Sequence, residues 1–167
     1  MDYIKNNLLN EQGAFYGSQD ADEEYYKLNA KERKNHEKPK IDRHIYTDLS
    51  SMMTSTFCFA FQVLKDNFYK DFAIKSVRFL ADKCYDEKFG MYHYFDGKRK
   101  YLPGNLADNV YFIKTLIDVF EITNNMQKTY SRHFILSILN TVLMKPFMPW
   151  LLGSFWAHQN RTRIAGM

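Results

Sequence analysis

Cysteine is scarce in this chain, and the two present carry no cysteine chemistry that can be read from their spacing. Cys58 and Cys84 form no CxxC pair and have no histidine at zinc spacing, so a structural zinc site and a dithiol motif are both excluded and buried reduced thiols are expected. Little at the N-terminus argues for secretion: MDYIKNNLLNEQ has neither a long apolar core nor a small-residue cleavage site, and a cytoplasmic location is the expectation. No apolar run is uninterrupted over a membrane's width. Residues 135–157 come nearest, but Asn140, Lys145, Pro146 and Pro149 break them, and a central charge costs about 2.5–3.5 kcal/mol on insertion scales. A core helix with an irregular tail is expected there instead of a membrane span. The net charge of +4 comes largely from residues 31–43 and 98–100, without a longer basic stripe interleaved with aromatics, so no nucleic-acid partner is expected. Asp20, Asp22 and Glu24 lack the glycine and the 12-residue ligand spacing of a calcium loop, and no metal or cofactor is expected.

What the chain does have is bulk and aromaticity. Its 167 residues are 46% apolar and 25% charged, enough for one globular domain, and they include 14 Phe and 12 Tyr, which suit core edges and binding clefts alike. Residues 10–27, NEQGAFYGSQDADEEYYK, gather glycine, aromatics, Gln19 and the carboxylates Asp20, Asp22, Glu23 and Glu24 between helical patterns and read as a binding loop. Before them, residues 2–9 read as the last turns of a helix. After them, residues 30–43 form a charged connection in which Pro39 opposes a continuous helix.

Helical periodicity begins at Thr47, a plausible N-cap. Leu49, Met52, Met53, Thr56, Phe57, Ala60, Val63 and Leu64 recur at three- and four-residue spacing and predict a deeply buried helix. A break at residues 65–67 leads to a second helix with a stripe of Phe68, Phe72, Ala73, Val77, Leu80 and Cys84, and so short a link predicts an antiparallel pair. Alternation in GMYHYF ahead of Asp96-Gly97 predicts a β-hairpin near residues 90–102, with that dipeptide as its two-residue turn. Asn105 is the expected N-cap of a third helix, whose stripe is Leu106, Val110, Ile113, Ile117 and Phe120, widened by Leu116 and Val119. A fourth helix runs from about Lys128 through Leu143 and stops at Pro146. Gly13-Ala14-Phe15-Tyr16 and Gly90-Met91-Tyr92 each precede a loop and then a helix, with an echo at Gly153-Ser154-Phe155-Trp156, which suggests a repeated α/α architecture.

Two motifs, GAFYGSQDADEEYY over residues 13–26 and KPKIDRHIYTD over 38–48, together with GMYHYFDG over 90–97 and YLPGNLADNVYFI over 101–113, resemble the YyaL-like, spermatogenesis-associated family. The likeness covers roughly residues 1–135. Members of that family join a thioredoxin-like domain to an (α/α)6 toroid of six-hairpin glycosidase type. The resemblance therefore implies a mainly α fold, a partial α/α toroid of antiparallel helical hairpins over 1–145, separated from a missing thioredoxin-like domain and the remaining toroid helices. Residues 146–167 form an irregular tail that also admits a frameshift. Leu49-Ser50 stands where the family commonly has Trp-Asn. As such a fragment the chain is expected to expose apolar helix faces and to self-associate.

In toroids of this type, loops at one end of the helical barrel line a sugar-binding cleft. The resemblance thus offers Asp20, Asp22, Asp108 and His93 as candidate catalytic residues and Gln19, Asp48, Tyr92 and Tyr94 as substrate-binding ones, with a carbohydrate as ligand. Hydrolysis would need two carboxyls about 5–5.5 Å or 6.5–9.5 Å apart. Epimerisation would need a base titrating near neutrality, for which His93 is the natural candidate. Each has a plainer alternative: Asp48 and Asp108 as helix-dipole partners, Asp20 and Asp22 as turn formers, His93 and the tyrosines as hairpin cover. A non-catalytic helical scaffold is the second reading of the whole.

Overall fold

The computed structural model describes residues 2–123, of which 57% are helical. The fourth helix, the Gly153 echo, the apolar run at 135–157 and the irregular tail all lie outside the described residues. Among those described, no helix is long and apolar enough to cross a membrane.

The elements run α1 (Asp2–Asn7), α2 (Glu23–Lys27), α3 (Ala30–Arg33), β1 (Ile45–Tyr46), α4 (Thr47–Leu64), α5 (Asn67–Cys84), β2 (Tyr85–Asp86), β3 (Gly90–Phe95), β4 (Lys100–Pro103) and α6 (Leu106–Thr123). The tight link between α4 and α5 works because Lys65 takes the left-handed conformation that ends α4 (φ 56°), and Asp66 then caps α5 by accepting the Phe68 N–H. The two helices are antiparallel, since Phe57 meets Phe68, Tyr69 and Phe72 while Thr54, one turn earlier, meets Ser76, one turn later. By contrast α4 and α6 run parallel and in register. The Asp48 amide bonds Asp108, the Ser51 carbonyl accepts from Thr115, and Ser55 also bonds Thr115, so the contacts climb both helices together.

Three expectations about local structure are corrected. Thr47 is the first residue of α4 and not its cap; its hydroxyl donates instead to the Tyr92 carbonyl at 2.5 Å, which ties the helix start to β3. The hairpin turn is shifted by one residue. Asp96 N–H donates to the Arg99 carbonyl, the Asp96 carboxylate accepts the Lys98 and Arg99 amides, and only Gly97 takes positive φ (94°), so the central pair is Gly97-Lys98. The charged connection is no simple solvated link: it opens with α3 under an Asn29–Glu32 capping box, then pairs with the acidic loop, Gly17 and Asp20 amides donating to the Asp42 and Lys40 carbonyls and Asp42 to Ser18.

The burial of the helices differs most from the pattern. On α4 the buried positions are Thr47, Ser50, Ser51, Thr54, Phe57, Cys58 and Ala60, whereas Leu49, Met52, Val63 and Leu64 are exposed. On α6 Asp108, Asn109, Phe112, Thr115, Leu116 and Val119 are buried, whereas Leu106, Val110 and Ile117 are exposed. Small hydroxylated residues fill the α4 interface because they satisfy one another: Thr54 with Ser76, Ser50 with the Phe15 carbonyl, Ser55 with Thr115. The stripe of α5 does face the core through Ala73, Val77, Leu80 and Cys84, against Phe57, Phe112 and Met91. Both cysteines are buried free thiols, and burial pushes them up to about 12 at Cys58 and about 11 at Cys84.

Candidate functional site

A four-stranded antiparallel sheet, with β3 at its centre, holds the site against the starts of α4 and α6. Tyr46 on β1 stands opposite Tyr94 on β3, and Tyr94 opposite Tyr101 on β4, so three tyrosines form a row across one face. Tyr94 and Tyr101 stack at 4.9 Å, and Tyr46 lies 5.8 Å from Tyr94. A carboxylate accepts the hydroxyl at each end of the row: Asp42 from Tyr46 at 3.0 Å and Asp96 from Tyr101 at 2.9 Å. Tyr46 is raised by burial and by its Asp42 bond, and Tyr101 chiefly by its bond to Asp96.

Beside the row lies the group that three of the candidate residues form. Asp48 in the first turn of α4, His93 on β3 and Asp108 in the first turn of α6 bring one ligand atom each to within 4.8 Å of one another. Both Asp108 oxygens are 3.1 Å from His93 Nδ1, and one of them also accepts the Asp48 amide at 3.2 Å. A carboxylate in this position accepts a proton carried on Nδ1, and in that tautomer Nε2 carries the ring's lone pair. Asp108 is fully buried; burial pushes its carboxyl above the ordinary range, while the His93 hydrogen bond and charge pull the other way. The His93 side chain keeps 27% of its surface exposed, enough to meet a ligand.

Gln19, Asp20 and Asp22 do not join this group. Gln19 is structural: its amide donates to the Pro39 carbonyl at 2.8 Å and its oxygen accepts the Tyr3 hydroxyl. Asp22 caps α2 by accepting the Tyr25 amide, and Asp20 accepts the Ala21 amide, the turn-forming roles that compete with ligand binding. Both line a separate open groove with His36, Glu37 and Lys38. Tyr92 serves partly as support, since its carbonyl holds Thr47 and its ring carries Lys100 Nζ at 4.6 Å. Tyr94 stands at the centre of the site.

Asp42, His44, Tyr46 and Tyr101 also belong to the site, although the sequence patterns did not single them out. Asp42 Oδ1 lies 2.5 Å from His44 Nδ1. Some burial raises Asp42, but the His44 backbone, the His44 ring and Tyr46 hold it below the ordinary carboxylate range. The signal was available in DRHIY, where Asp42, His44 and Tyr46 share the two-residue period of an extended chain. The acidic loop reaches the site through its backbone: a Cβ on Gly17 would sit 2.8 Å from the Tyr46 ring, so only glycine allows this approach. No protein-family model matches the chain, and no curated protein matches it significantly.

Proposed function

We propose that this chain is part of a YyaL-like α/α toroid whose cleft binds a carbohydrate and modifies it by proton transfer, with His93 as general base. The observation that carries the reading is the buried Asp108 held on His93 Nδ1 with Nε2 left free. A carboxylate in that position orients the ring and stabilises the imidazolium that forms when the base takes a proton, a contribution of roughly 10²–10⁴ in rate for general bases. Hydrolysis fits the group less well. Asp108 is wholly buried and its oxygens are engaged, and ligand atoms of Asp48 and Asp108 lie within 4.8 Å, inside the separations of about 5–5.5 Å or more that paired glycosidase carboxyls use.

Parallel α4 and α6 packed directly on each other, with the antiparallel α5 packed chiefly on α4, support the toroid part of the reading, because successive helical hairpins wound side by side bring equivalent helices together in parallel. The repeated glycine-aromatic elements add to it: Gly13 (φ 101°) and Gly90 (φ 77°) both take positive φ, each followed by a buried residue, Ala14 and Met91. On this reading the protein acts in the cytoplasm beside a thioredoxin-like domain and further toroid helices. The test is exchange of the carbon-bound proton next to the carbonyl of D-glucose, D-mannose and D-galactose and their 6-phosphates, followed by proton NMR in D2O. Loss of the C2 proton signal is expected with the wild-type chain and with Asp20→Asn, and a fall of about 10²-fold or more with His93→Gln. No exchange with any of these sugars would overturn the reading.

A second reading, a helical scaffold without catalysis, is favoured by one observation: Phe59, Val63 and Leu64 on α4 and Leu106 and Val110 on α6 are more than half exposed.

A further inference from the structure

The strand that carries Asp42, His44 and Tyr46 has a second face. Its alternate residues, Ile41, Arg43 and Ile45, line a groove of about 650 Å³ between the N-terminal segment and the turn of the β3–β4 hairpin. That volume falls within the range of small-molecule sites, about 300–1,000 Å³. Leu9, Ile45 and Phe95, all packed on or in the core, give the groove apolar surface, and Asn10 and Gln12 bring amides to it. It takes in none of Asp48, His93 and Asp108, so it is separate from the group described above.

Arg43 is the member of this groove that the fold does not account for. Its guanidinium lies 5.5 Å over the Tyr16 ring, and no carboxylate among the described residues is within ion-pair distance of it. A guanidinium held on an aromatic face keeps its fork of N–H donors for an oxyanion, which it can meet with two parallel hydrogen bonds. Asn10 adds donors: its Oδ1 accepts the Ala14 amide at 3.1 Å, which leaves its two N–H groups for a ligand. Two acids also line the groove. Asp96 is committed to the hairpin turn through the Lys98 and Arg99 amides and the Tyr101 hydroxyl, whereas Glu11 is an exposed carboxylate at the rim.

We propose that this groove is a second ligand site, for a small organic acid whose carboxylate pairs with Arg43 and whose apolar body lies on Leu9, Ile45 and Phe95. One cation set against Glu11 and Asp96 suits a single negative charge, so a carboxylate fits better than a doubly charged phosphate. The apolar surface would gain nothing from a bare inorganic anion, and a neutral sugar would leave Arg43 without a partner. The site stands on the groove alone. It is independent of the proton-transfer reading, and absence of sugar exchange would leave it untouched.

The experiment is a titration of the full chain with benzoate, an aromatic ring bearing one carboxylate, followed by the backbone amide signals of Gln12, Arg43 and Gly97 in proton–nitrogen NMR. Saturable shifts at these three positions are expected, with an affinity that falls as salt is added. Benzyl alcohol, which keeps the ring without the charge, and inorganic phosphate, which has charge without the ring, should each bind about 10-fold more weakly or worse. Arg43 and Glu11 are both exposed, so their variants should fold, which circular dichroism checks. Arg43→Gln should weaken benzoate by about 10-fold or more, the scale of a hydrogen-bonded charge. Glu11→Gln removes the opposing carboxylate and should strengthen benzoate by about twofold, as exposed charge pairs do. No saturable shift with benzoate would overturn the proposal, and so would an unchanged affinity in Arg43→Gln. Phosphate binding as tightly as benzoate would also overturn it, since the groove would then hold an ion only.

Discussion

At the scale of single residues, Asp108 makes the sharpest prediction. Its folded carboxyl titrates above the value it has in the unfolded chain, so between those two values the unfolded state sheds its proton first and native stability falls as pH rises. Asp108→Asn cannot titrate. Urea melts at pH 4 and pH 7 should therefore show the variant losing ground to wild type at pH 4 and recovering part of it at pH 7. A deficit that grows toward pH 7 would mean that the His93 bond, and not burial, governs this carboxyl. The same residue explains why the site was half legible. Asp48, Asp108 and His93 could be picked out because helix starts and an alternating strand can be placed from sequence. Their contact could not, since it depends on α6 lying parallel to α4, a relation between elements that share no local pattern. Gln19, Asp20 and Asp22 had the right chemistry and were claimed by backbone amides and carbonyls instead.

At the scale of elements, the helices were legible as helices and their faces were not. Hydrophobic periodicity assigns the core to the most apolar stripe, yet α4 turns Thr47, Ser50, Ser51 and Thr54 inward. The hydroxyls of Thr47, Ser50 and Thr54 are satisfied by Tyr92 on β3, the Phe15 carbonyl and Ser76 on α5, and the Ser51 carbonyl accepts from Thr115 on α6, partners which no hydropathy pattern reports. Asp42, His44 and Tyr46 were hidden differently: their alternation is embedded in a charged run whose composition suggests a loop. The glycine-aromatic approach to this strand gives a second test. Gly17→Val puts a branched side chain where the first carbon alone would lie 2.8 Å from the Tyr46 ring and 3.1 Å from an Asp42 oxygen. Circular dichroism should show the helices intact, whereas C2 exchange should fall by about 10-fold or more as the Tyr46–Asp42–His44 arrangement is displaced, on the principle that small misplacements are costly at reacting centres. Unchanged exchange would show that this strand does not position the site.

At the scale of the whole molecule, the exposed apolar positions decide between an isolated domain and part of a larger body. Phe59 at 65% and Val63 at 62% exposure make no contribution to the core of the described residues. Phe59→Ser with Val63→Ser should leave the unfolding free energy within about 0.5 kcal/mol of wild type, as surface substitutions do. Sedimentation should show the wild-type chain associating as its concentration is raised and the double variant remaining monomeric. A loss of several kcal/mol would instead mean that other parts of the chain already cover this face. By contrast Phe57, fully buried among Phe15, Tyr69 and Phe72, belongs to the interior that holds α4 to α5 and the N-terminal segment.

The pairing of the acidic loop with the basic connection has an architectural consequence. Asp20 and Lys40 meet through a 2.7 Å hydrogen bond, so residues 21–39 leave the body and return to the point of departure, carrying α2 and α3 with no buried residue between them. A segment that closes on itself in this way is a natural socket: a foreign domain whose own termini lie side by side can replace it without disturbing the sheet and helices of the body.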